Sequence, residues 1–180
     1  MPDAGQTLEE TAVQHAAMQA QKIISLNKFI FLSVISFGLY PIWWMFEAWR
    51  FFMQKDRLDI MPAARAVFAF LFLYPLLDEI KDYAGQRGTA CDFSPGVQYV
   101  GFVILSLLSR LPDPYWLVSV FAFIFLIPAF QALNHAKRNT HELNIIEARG
   151  FSIPQILLII IGAIFWLLLF AAFIFSDQLQ

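Results

Sequence analysis

The stretch ILLIIIGAIFWLLLFAAFIF, residues 156–175, is twenty residues long and contains no charged side chain. At about 1.5 Å of rise per residue, a helix of this length spans about 30 Å, the thickness of the hydrocarbon core of a bilayer. Ser152 and Pro154 precede it, and a capping side chain followed by a proline in the first turn favours a helix start. The stretch therefore predicts a transmembrane helix over residues 153–176.

The composition of the 180-residue chain agrees with a membrane protein. Hydrophobic residues make up 59% of the chain and charged residues only 14%, with a mean hydropathy of +0.61. A soluble domain has about 25% charged residues, because its surface must be hydrated. The 20 phenylalanines and 5 tryptophans suit the interior and the boundaries of a bilayer. We therefore expect the lipid bilayer to be the main partner of the chain.

Charge and cysteine content exclude several other classes. The net charge of −2 and the absence of a basic stripe exclude a nucleic-acid partner. The single cysteine, Cys91, excludes a disulfide within the chain and a cysteine-based zinc site. We expect no cofactor, because the sequence contains no Gly-rich phosphate loop and no dinucleotide fingerprint.

Four further apolar segments precede the last one. None alternates apolar and polar residues with a period of two, so helices are favoured over barrel strands. Pro62 and Pro95 mark two helix starts. The apolar part of the third segment, residues 97–109, is short, so this segment either crosses the membrane or lies along its surface. The sequence predicts an all-α, polytopic helical membrane bundle of four to five transmembrane helices, with segments at about 29–50, 62–83, 95–110, 114–140 and 153–176.

The N-terminal part differs from the membrane domain, which we assign to residues 28–177. The first twenty residues contain no Lys, no Arg and no apolar run, so we do not expect a signal peptide. Thr7 and Glu10 fit a capping box. We expect a polar helix over residues 1–27, on the cytoplasmic side. Lysines and arginines are distributed almost evenly between the two sides, which leaves the orientation open.

Polar side chains gather at the ends of the second and fourth segments. One group consists of the carboxylates Asp78, Glu79 and Asp82. The other recurs at intervals of three and four on one helix face and consists of Gln131, Asn134, His135 and Arg138. If segments two to four all cross, the carboxylates approach His135, Lys137 and Arg138. This candidate polar site is either hydrated at headgroup level or lines a transport path.

A second group of residues is expected at the membrane surface. Trp43, Trp44 and Trp49 form an aromatic belt typical of the membrane–water interface, and Glu47 and Arg50 are spaced to form an ion pair. We expect these five residues to anchor the first helix. The alternative is recognition of an acidic lipid headgroup by the basic side chains Arg50, Lys55 and Arg57.

No pattern supports a catalytic or metal site. His141 and Glu142 begin like the H-E-x-x-H motif of zinc proteases, but Ile145 occupies the closing position and cannot bind a metal. The uninterrupted apolar stretches, of which the fourth ends at Leu133, contain no histidine that would act as the base for serine catalysis within the bundle. We therefore expect a protein that is not an enzyme and binds no metal.

The block FGLYPIWWMFEAWR, residues 37–50, resembles a pattern of small bacterial membrane proteins of unknown function, roughly F-G-[IL]-Y-x-[IL]-[YW]-W-[FY]-x-x-x-W-[KR]. A proline-started helix like residues 61–68 and a later polar stretch like residues 131–134 follow in those proteins. The resemblance implies a multi-pass protein of the bacterial inner membrane and brings no known activity.

Two functions from different classes remain. The first is a non-catalytic integral membrane protein, an accessory or scaffold that packs with partner helices or with itself as a homo-oligomer. Small residues such as Gly162 and Ala163 suit such helix contacts. The alternative is a small transporter or ion- or proton-conducting protein that uses Asp78 and Glu79, with His135 and Arg138 as counter-groups.

Overall fold

The computed structural model of the chain describes residues 20–56, 58–88, 93–140, 144–147 and 150–177. Within these ranges the protein is almost entirely helical, with seven α-helices, two 3₁₀ helices and one two-stranded sheet. The all-α class is therefore confirmed. The α-helices are α1 (Leu26–Ile35), α2 (Leu39–Asp56), α3 (Pro62–Val67), α4 (Ala69–Gln86), α5 (Pro95–Leu107), α6 (Ile127–Arg138) and α7 (Ile153–Asp177).

The two 3₁₀ helices, Leu108–Arg110 and Tyr115–Leu126, lie between α5 and α6. The second runs directly into α6, so that the two form one continuous helical rod. Pro62 and Pro95 are the first residues of α3 and α5, and both predicted helix starts are confirmed.

The strands β1 (Ala20–Ile23) and β2 (Asn144–Glu147) pair in parallel, with Ala20 opposite Asn144. The strand β1 corrects the expectation of a polar helix over residues 1–27, because its backbone pairs with a distant segment and α1 begins only at Leu26. The first nineteen residues of that expected helix lie outside the described residues. We call the end of the bundle at which β1 and β2 pair the sheet end.

The first expected segment, residues 29–50, is a hairpin of two helices. Between α1 and α2 the chain turns at Phe37 and Gly38, whose φ angles are +52° and +82°. Glycine supports such a turn because it has no Cβ to oppose a positive φ. As a result, the ring of Phe29 in α1 lies 5.8 Å from that of Trp44 in α2. A continuous helix would separate these two residues by about 22 Å.

The second expected segment, residues 62–83, is also interrupted. The backbone leaves helical geometry at Phe68, with a ψ of +45°, and this residue separates α3 from α4. The guanidinium of Arg65 lies 4.4 Å from the ring centre of Trp49 and holds α3 against α2.

The ends of α2, α4 and α6 meet at the sheet end. The ring of Phe51 in α2 lies 5.4 Å from that of Tyr83 in α4. The Tyr83 hydroxyl is 2.9 Å from that of Thr140, which follows α6. In α6, Asn134 donates a hydrogen bond to the carbonyl of Ile24, next to β1. Because α1 also begins beside β1, the pair α1–α2 leaves the sheet end and returns to it, and α4 ends there as well.

Two helices among the described residues are long and apolar enough to cross a membrane, Tyr115–Arg138 and Ile153–Ile174. They correspond to the fourth and fifth expected segments. Of the most apolar part of the first, 44% is buried inside the protein, whereas the share for the second is only 6%. The two helices therefore have very different surroundings.

The core lies between α1, α2, α4 and α6. Phe29 is fully buried and stacks on the ring of Phe130 at 4.4 Å between centres. Aromatic pairs of this kind stabilise a core by about 0.5–1.5 kcal/mol beyond the area they bury. The other rings around Phe29 are those of Tyr40, Trp44 and Phe123. Further fully buried side chains are Phe52, Leu73, Leu76, Leu77, Ile80 and Leu126.

The helix α7 is attached to this core through α1. Gly162 packs against the carbonyl of Ile35, and a Cβ added at Gly162 would clash with that oxygen. The indole Nε1 of Trp166 donates to the carbonyl of Val34 at 3.3 Å, and the ring of Phe37 lies 4.4 Å from that of Trp166. The turn between α1 and α2 therefore lies beside the middle of α7.

Candidate functional site

A cavity of about 760 Å³ runs along α2, from Gln54 at the sheet end of the bundle to Tyr40. Its walls come from both strands, α2, the last turns of α6 and the segment that leads into α7. The volume falls in the range of about 300–1,000 Å³ that is usual for ligand sites. Its polar side chains are Lys22, Glu47, Arg50, Gln54, Asn134, Lys137, Ser152 and Gln155, and its aromatic ones are Tyr40, Trp43, Trp44, Phe51, Phe130 and Phe151.

The ionisable side chains of the cavity are mostly basic. Arg50 and Glu47 lie one turn apart on α2, with 3.6 Å between Nη1 and Oε1, and about half of each side chain is exposed. An exposed ion pair contributes only about 0–1 kcal/mol to stability. Lys22 from β1 and Lys137 from α6 add two more positive charges. The lining of the cavity therefore contains three cations and one carboxylate.

Lys137 is the most buried cation of the cavity. Its residue is only 7% exposed, and Nζ lies 4.1 Å from the ring centre of Phe51. A cation over an aromatic face is stabilised by about 0.5–2 kcal/mol. The last turn of α6 also favours a positive charge, because the C-terminal end of a helix dipole is negative. The end of α6 thus places an ammonium group in the wall of the cavity.

Gln155 joins the start of α7 to α2. The backbone N–H of Ser152 donates to Gln155 Oε1 at 3.0 Å, which is one half of a capping box. Gln155 Nε2 donates to the hydroxyl of Tyr40 at 3.2 Å. Because Gln155 is 9% exposed, both hydrogen bonds are shielded from competing water. They fix the position of this wall.

Long-range hydrogen bonds hold the strands and loops around the cavity. The carbonyl of Ile24 accepts from Asn134 Nδ2 at 3.2 Å, which joins α6 to the residue after β1. Lys28 Nζ donates to the carbonyl of Gly150 at 2.6 Å, which joins α1 to the segment before α7. Both bonds satisfy carbonyls outside regular secondary structure.

An apolar groove of about 460 Å³ adjoins the cavity. The two chambers share one wall, made of Tyr40, Trp43, Pro154 and Gln155. The groove runs between α2, α3 and α7, and the rest of its lining is Leu39, Ile42, Phe46, Ala63, Ala66, Val67 and Leu158. A basic chamber thus lies directly beside an apolar one.

The structure brings the ends of α4 and α6 together, but it leaves much of the predicted polar site on outer faces. On α4, the buried face is apolar apart from Tyr83. The carboxylates Asp78 and Asp82 are exposed, and Glu79 is partly buried. On α6 the predicted shared face is present: Gln131, His135 and Arg138 are exposed, and Asn134 is partly buried.

The residues expected to anchor the first helix do not all face outward. Trp43 is 44% exposed, and Glu47 and Arg50 are exposed as well. Trp44 and Trp49, however, are only 6% and 3% exposed. The expectation for these two tryptophans is therefore corrected: they are core residues, because the α1–α2 hairpin and α3 cover their sides of α2.

Of the alternative basic group, Arg50 lines the cavity, whereas Lys55 does not. Lys55 pairs with Asp56 at 2.7 Å. Within the part of the chain that the structure describes, no group of three or more His, Cys, Asp or Glu side chains is placed to hold a metal ion. The structure does not describe several other basic, cysteine or candidate metal-binding residues, namely His15, Arg57, Cys91, His141, Glu142 and Arg149.

Gln155 and Lys137 belong to the cavity wall, and sequence reasoning did not place them in a cavity. Gln155 had a recognisable signal, because Ser152 and Gln155 have the spacing of a capping box before an apolar run. Lys137 had none, since its burial depends on Phe51, which only the α1–α2 hairpin brings close. From the sequence, Lys137 is only one of the charges expected near the acidic group.

Comparison of the chain with protein-family models, curated proteins and solved structures gives no match. The resemblance of residues 37–50 to small bacterial membrane proteins therefore stays a prediction. Function is inferred from the geometry of the chain itself.

Proposed function

We propose that the chain is a non-catalytic, multi-pass protein of the bacterial inner membrane, an accessory or scaffold that packs with partner helices or with itself. The observation that carries the proposal is the exposure of α7, whose most apolar part is only 6% buried. Its exposed large side chains include Ile156, Leu157, Ile160, Ile161, Ile164, Phe165, Leu167, Leu168, Phe170 and Ile174. Burial of apolar surface is worth about 25 cal/mol per Å², so lipid or an apolar partner is expected to cover this helix.

Two kinds of non-membrane helix have a similar hydropathy, and α7 resembles neither. The core helix of a soluble protein is mostly buried, whereas α7 is mostly exposed. A signal sequence lies near the N-terminus, whereas α7 begins at Ile153. Its contacts with α1 use one side and leave most of its circumference for lipid or for a partner helix.

In this proposal the chain crosses the membrane three times, fewer than the four to five crossings expected from the sequence. The helix α1 has ten residues and a length of about 15 Å, half of a hydrocarbon core of about 30 Å. The pair α1–α2 begins and ends at the sheet end, and α4 ends there, so we place both α1–α2 and α3–α4 in the membrane as re-entrant hairpins. The three crossings are then made by α5 together with the 3₁₀ helix Leu108–Arg110, by the rod Tyr115–Arg138 and by α7.

The tips of the two hairpins support a re-entrant arrangement. Leu39 and Ile42, after the first turn, are 55% and 37% exposed. Val67, Phe68 and Leu71, at the second break, are 71%, 58% and 70% exposed. Tips of this composition are stable in hydrocarbon, provided that the backbone of the turn is satisfied within the protein.

Labelling of single cysteines in the Cys91→Ser protein tests this topology. Asp59, Gln86 and Asn139 are exposed residues between segments. Re-entrant hairpins place all three on one side of the membrane, so a membrane-impermeant maleimide should label Asp59→Cys, Gln86→Cys and Asn139→Cys from that side. Labelling of Asp59→Cys and Gln86→Cys from opposite sides would show instead that the second segment crosses.

The scaffold role is tested from α7. A photo-crosslinking amino acid at Leu168, which is 63% exposed, should form an adduct with a second copy or with another membrane protein in native membranes. Adducts with lipid alone at Leu168, Leu157 and Ile161 would contradict the scaffold role and leave the membrane location intact.

Transport is the second candidate function, and the meeting of the α4 and α6 ends at Tyr83 and Thr140 favours it. It requires Asp78 and Glu79 to act on an ion path. Asp78→Asn with Glu79→Gln should then abolish ion or proton flux in proteoliposomes, whereas Asp59→Asn, another exposed carboxylate, should not. If the unmodified protein conducts neither ions nor protons, the transport function is contradicted and the accessory role remains the proposal.

A further inference from the structure

The basic cavity and the apolar groove are two halves of one amphiphilic site. They share a wall that includes Trp43 from α2 and Pro154 from α7. The hydrogen bond between Tyr40 and Gln155 lies in the same wall and keeps α2 and α7 together there. A ligand that fills both chambers needs one polar end and one apolar end.

The cavity favours an anion at its polar end. Lys22, Arg50 and Lys137 outnumber Glu47 three to one. A planar guanidinium such as that of Arg50 can donate two parallel hydrogen bonds, a geometry that matches phosphate oxygens. The ammonium of Lys137 lies in a largely buried position against Phe51, where its attraction for an anion is screened less than in water.

The groove favours a hydrocarbon chain. Its lining contains no charged side chain, and its polar groups, Tyr40 and Gln155, lie at the wall shared with the cavity. Away from that wall the lining consists of aliphatic and aromatic side chains of α2, α3 and α7, such as Ile42, Val67 and Leu158. An acyl chain is the ligand group that such a surface accommodates without leaving polar atoms unsatisfied.

The charged part of the cavity and the groove lie at different positions along α2. Lys22, Arg50 and Lys137 line the part of the cavity at the sheet end, where one apolar helix ends at Arg138 and the next begins at Ile153. This is the level at which the helices leave the hydrocarbon. From there the cavity extends along α2 to Tyr40, and the groove adjoins this second part of the cavity, with Leu39 and Val67 in its lining at the tips of the two hairpins.

We infer that this site binds an anionic glycerophospholipid, with its phosphate near Arg50 and Lys137 and one acyl chain in the groove. The inference rests on the membrane location proposed above and adds a ligand class to it. A zwitterionic lipid is disfavoured, because its own cation would be repelled by the three cations of the cavity.

Titration of the purified full-length protein in a non-ionic detergent tests the inference. The probes are a short-chain phosphatidylglycerol, a phosphatidylcholine with the same chains, and glycerol 1-phosphate, with binding followed by native mass spectrometry and calorimetry. We expect one saturable site for phosphatidylglycerol, with a Kd at least about tenfold lower than that for phosphatidylcholine. Glycerol 1-phosphate should not compete, because it lacks the chain that fills the groove.

Variants assign the two ends of the ligand. Arg50→Gln should weaken binding of phosphatidylglycerol about tenfold and reduce the preference over phosphatidylcholine. The matched control is Lys55→Gln, which removes a cation from the same helix outside the cavity. Ala63→Trp, which fills the groove, should weaken both lipids equally, whereas Ala172→Trp on the exposed side of α7 should weaken neither.

Any one of three results would overturn the lipid site. The first is equal affinity for the two lipids, and the second is competition by glycerol 1-phosphate as strong as that by phosphatidylglycerol. The third is binding of phosphatidylglycerol that neither Arg50→Gln nor Ala63→Trp weakens. Circular dichroism and gel filtration identify any variant that is not folded. Membrane location is measured separately, by retention of the protein in membranes after an alkaline wash. A retained protein without preference for phosphatidylglycerol would contradict the site alone.

Discussion

The helix α7 and the core around Phe29 are both strongly apolar, but their side chains have different partners. Phe29 is fully buried among four aromatic rings of α2, α6 and the 3₁₀ helix before α6. On α7, Leu168 is 63% exposed, as are many of its neighbours. Hydropathy therefore shows that a helix avoids water, but it does not show what covers the helix. In the core, the cover is protein; on α7, the chain itself provides almost none.

The largest contrast in stability is expected between these two regions. Phe29→Ala should lower the free energy of unfolding by about 3–5 kcal/mol, because it removes a buried ring and leaves a cavity. Leu168→Ala should change it by less than about 0.5 kcal/mol, as expected for an exposed position without special contacts. Reversible unfolding in mixed detergent micelles measures both. A loss at Leu168 as large as that at Phe29 would mean that α7 packs against a second copy in the micelle.

A smaller change in the free energy of unfolding is expected where α7 packs against α1. Gly162→Val should destabilise the protein by about 1–3 kcal/mol, because its side chain would clash with the Ile35 carbonyl and push α7 away from α1. The control is Gly85→Ala in α4, where an added Cβ meets open space. It should be neutral or stabilising by up to about 1 kcal/mol, since alanine favours a helix. Equal losses for both variants, in the same unfolding assay, would contradict the close contact.

The smallest effect concerns one hydrogen bond at the sheet end. Tyr83→Phe removes the bond to Thr140 and should cost about 1 kcal/mol. The loss stays modest because the Thr140 hydroxyl still donates to the carbonyl of Ala136 at 2.9 Å. Tyr115→Phe, at a residue that is 63% exposed, should leave the thermal midpoint unchanged. An unchanged midpoint for Tyr83→Phe would show that this bond does not hold α4 to α6.

The elements that the sequence predicted correctly are those set by local pattern. The helical class and the long apolar helix α7 follow from composition and from an uninterrupted run of residues 156–175. The starts of α3 and α5 follow from Pro62 and Pro95, whose fixed φ suits the first helical position. Each of these features depends on residues that are neighbours in the chain.

The elements that could not be predicted depend on distant residues. Residues 29–50 look like one span, because a turn at Phe37 and Gly38 adds no polar residue to the run. The burial of Trp44 follows from that turn. The strand β1 forms because β2 pairs with it, and β2 lies far along the chain.

The candidate site was predicted only in part. Trp43, Glu47, Arg50 and Asn134 were named from the sequence and do line the cavity. The acidic group of α4 was named as well, but its exposed carboxylates lie outside the lining of the cavity. Residues on one helix could be grouped from their spacing, whereas the meeting of three helices with two strands required the structure.

The parallel pairing of β1 with β2 also has a consequence for biosynthesis. Roughly 120 residues separate the paired positions, and at about 5–20 residues per second the ribosome needs roughly 6–25 s to make them. During that interval β1 has left the ribosome while its partner strand does not yet exist. The wall that carries Lys22 is therefore completed late, after the helices from α1 to α6 have been translated.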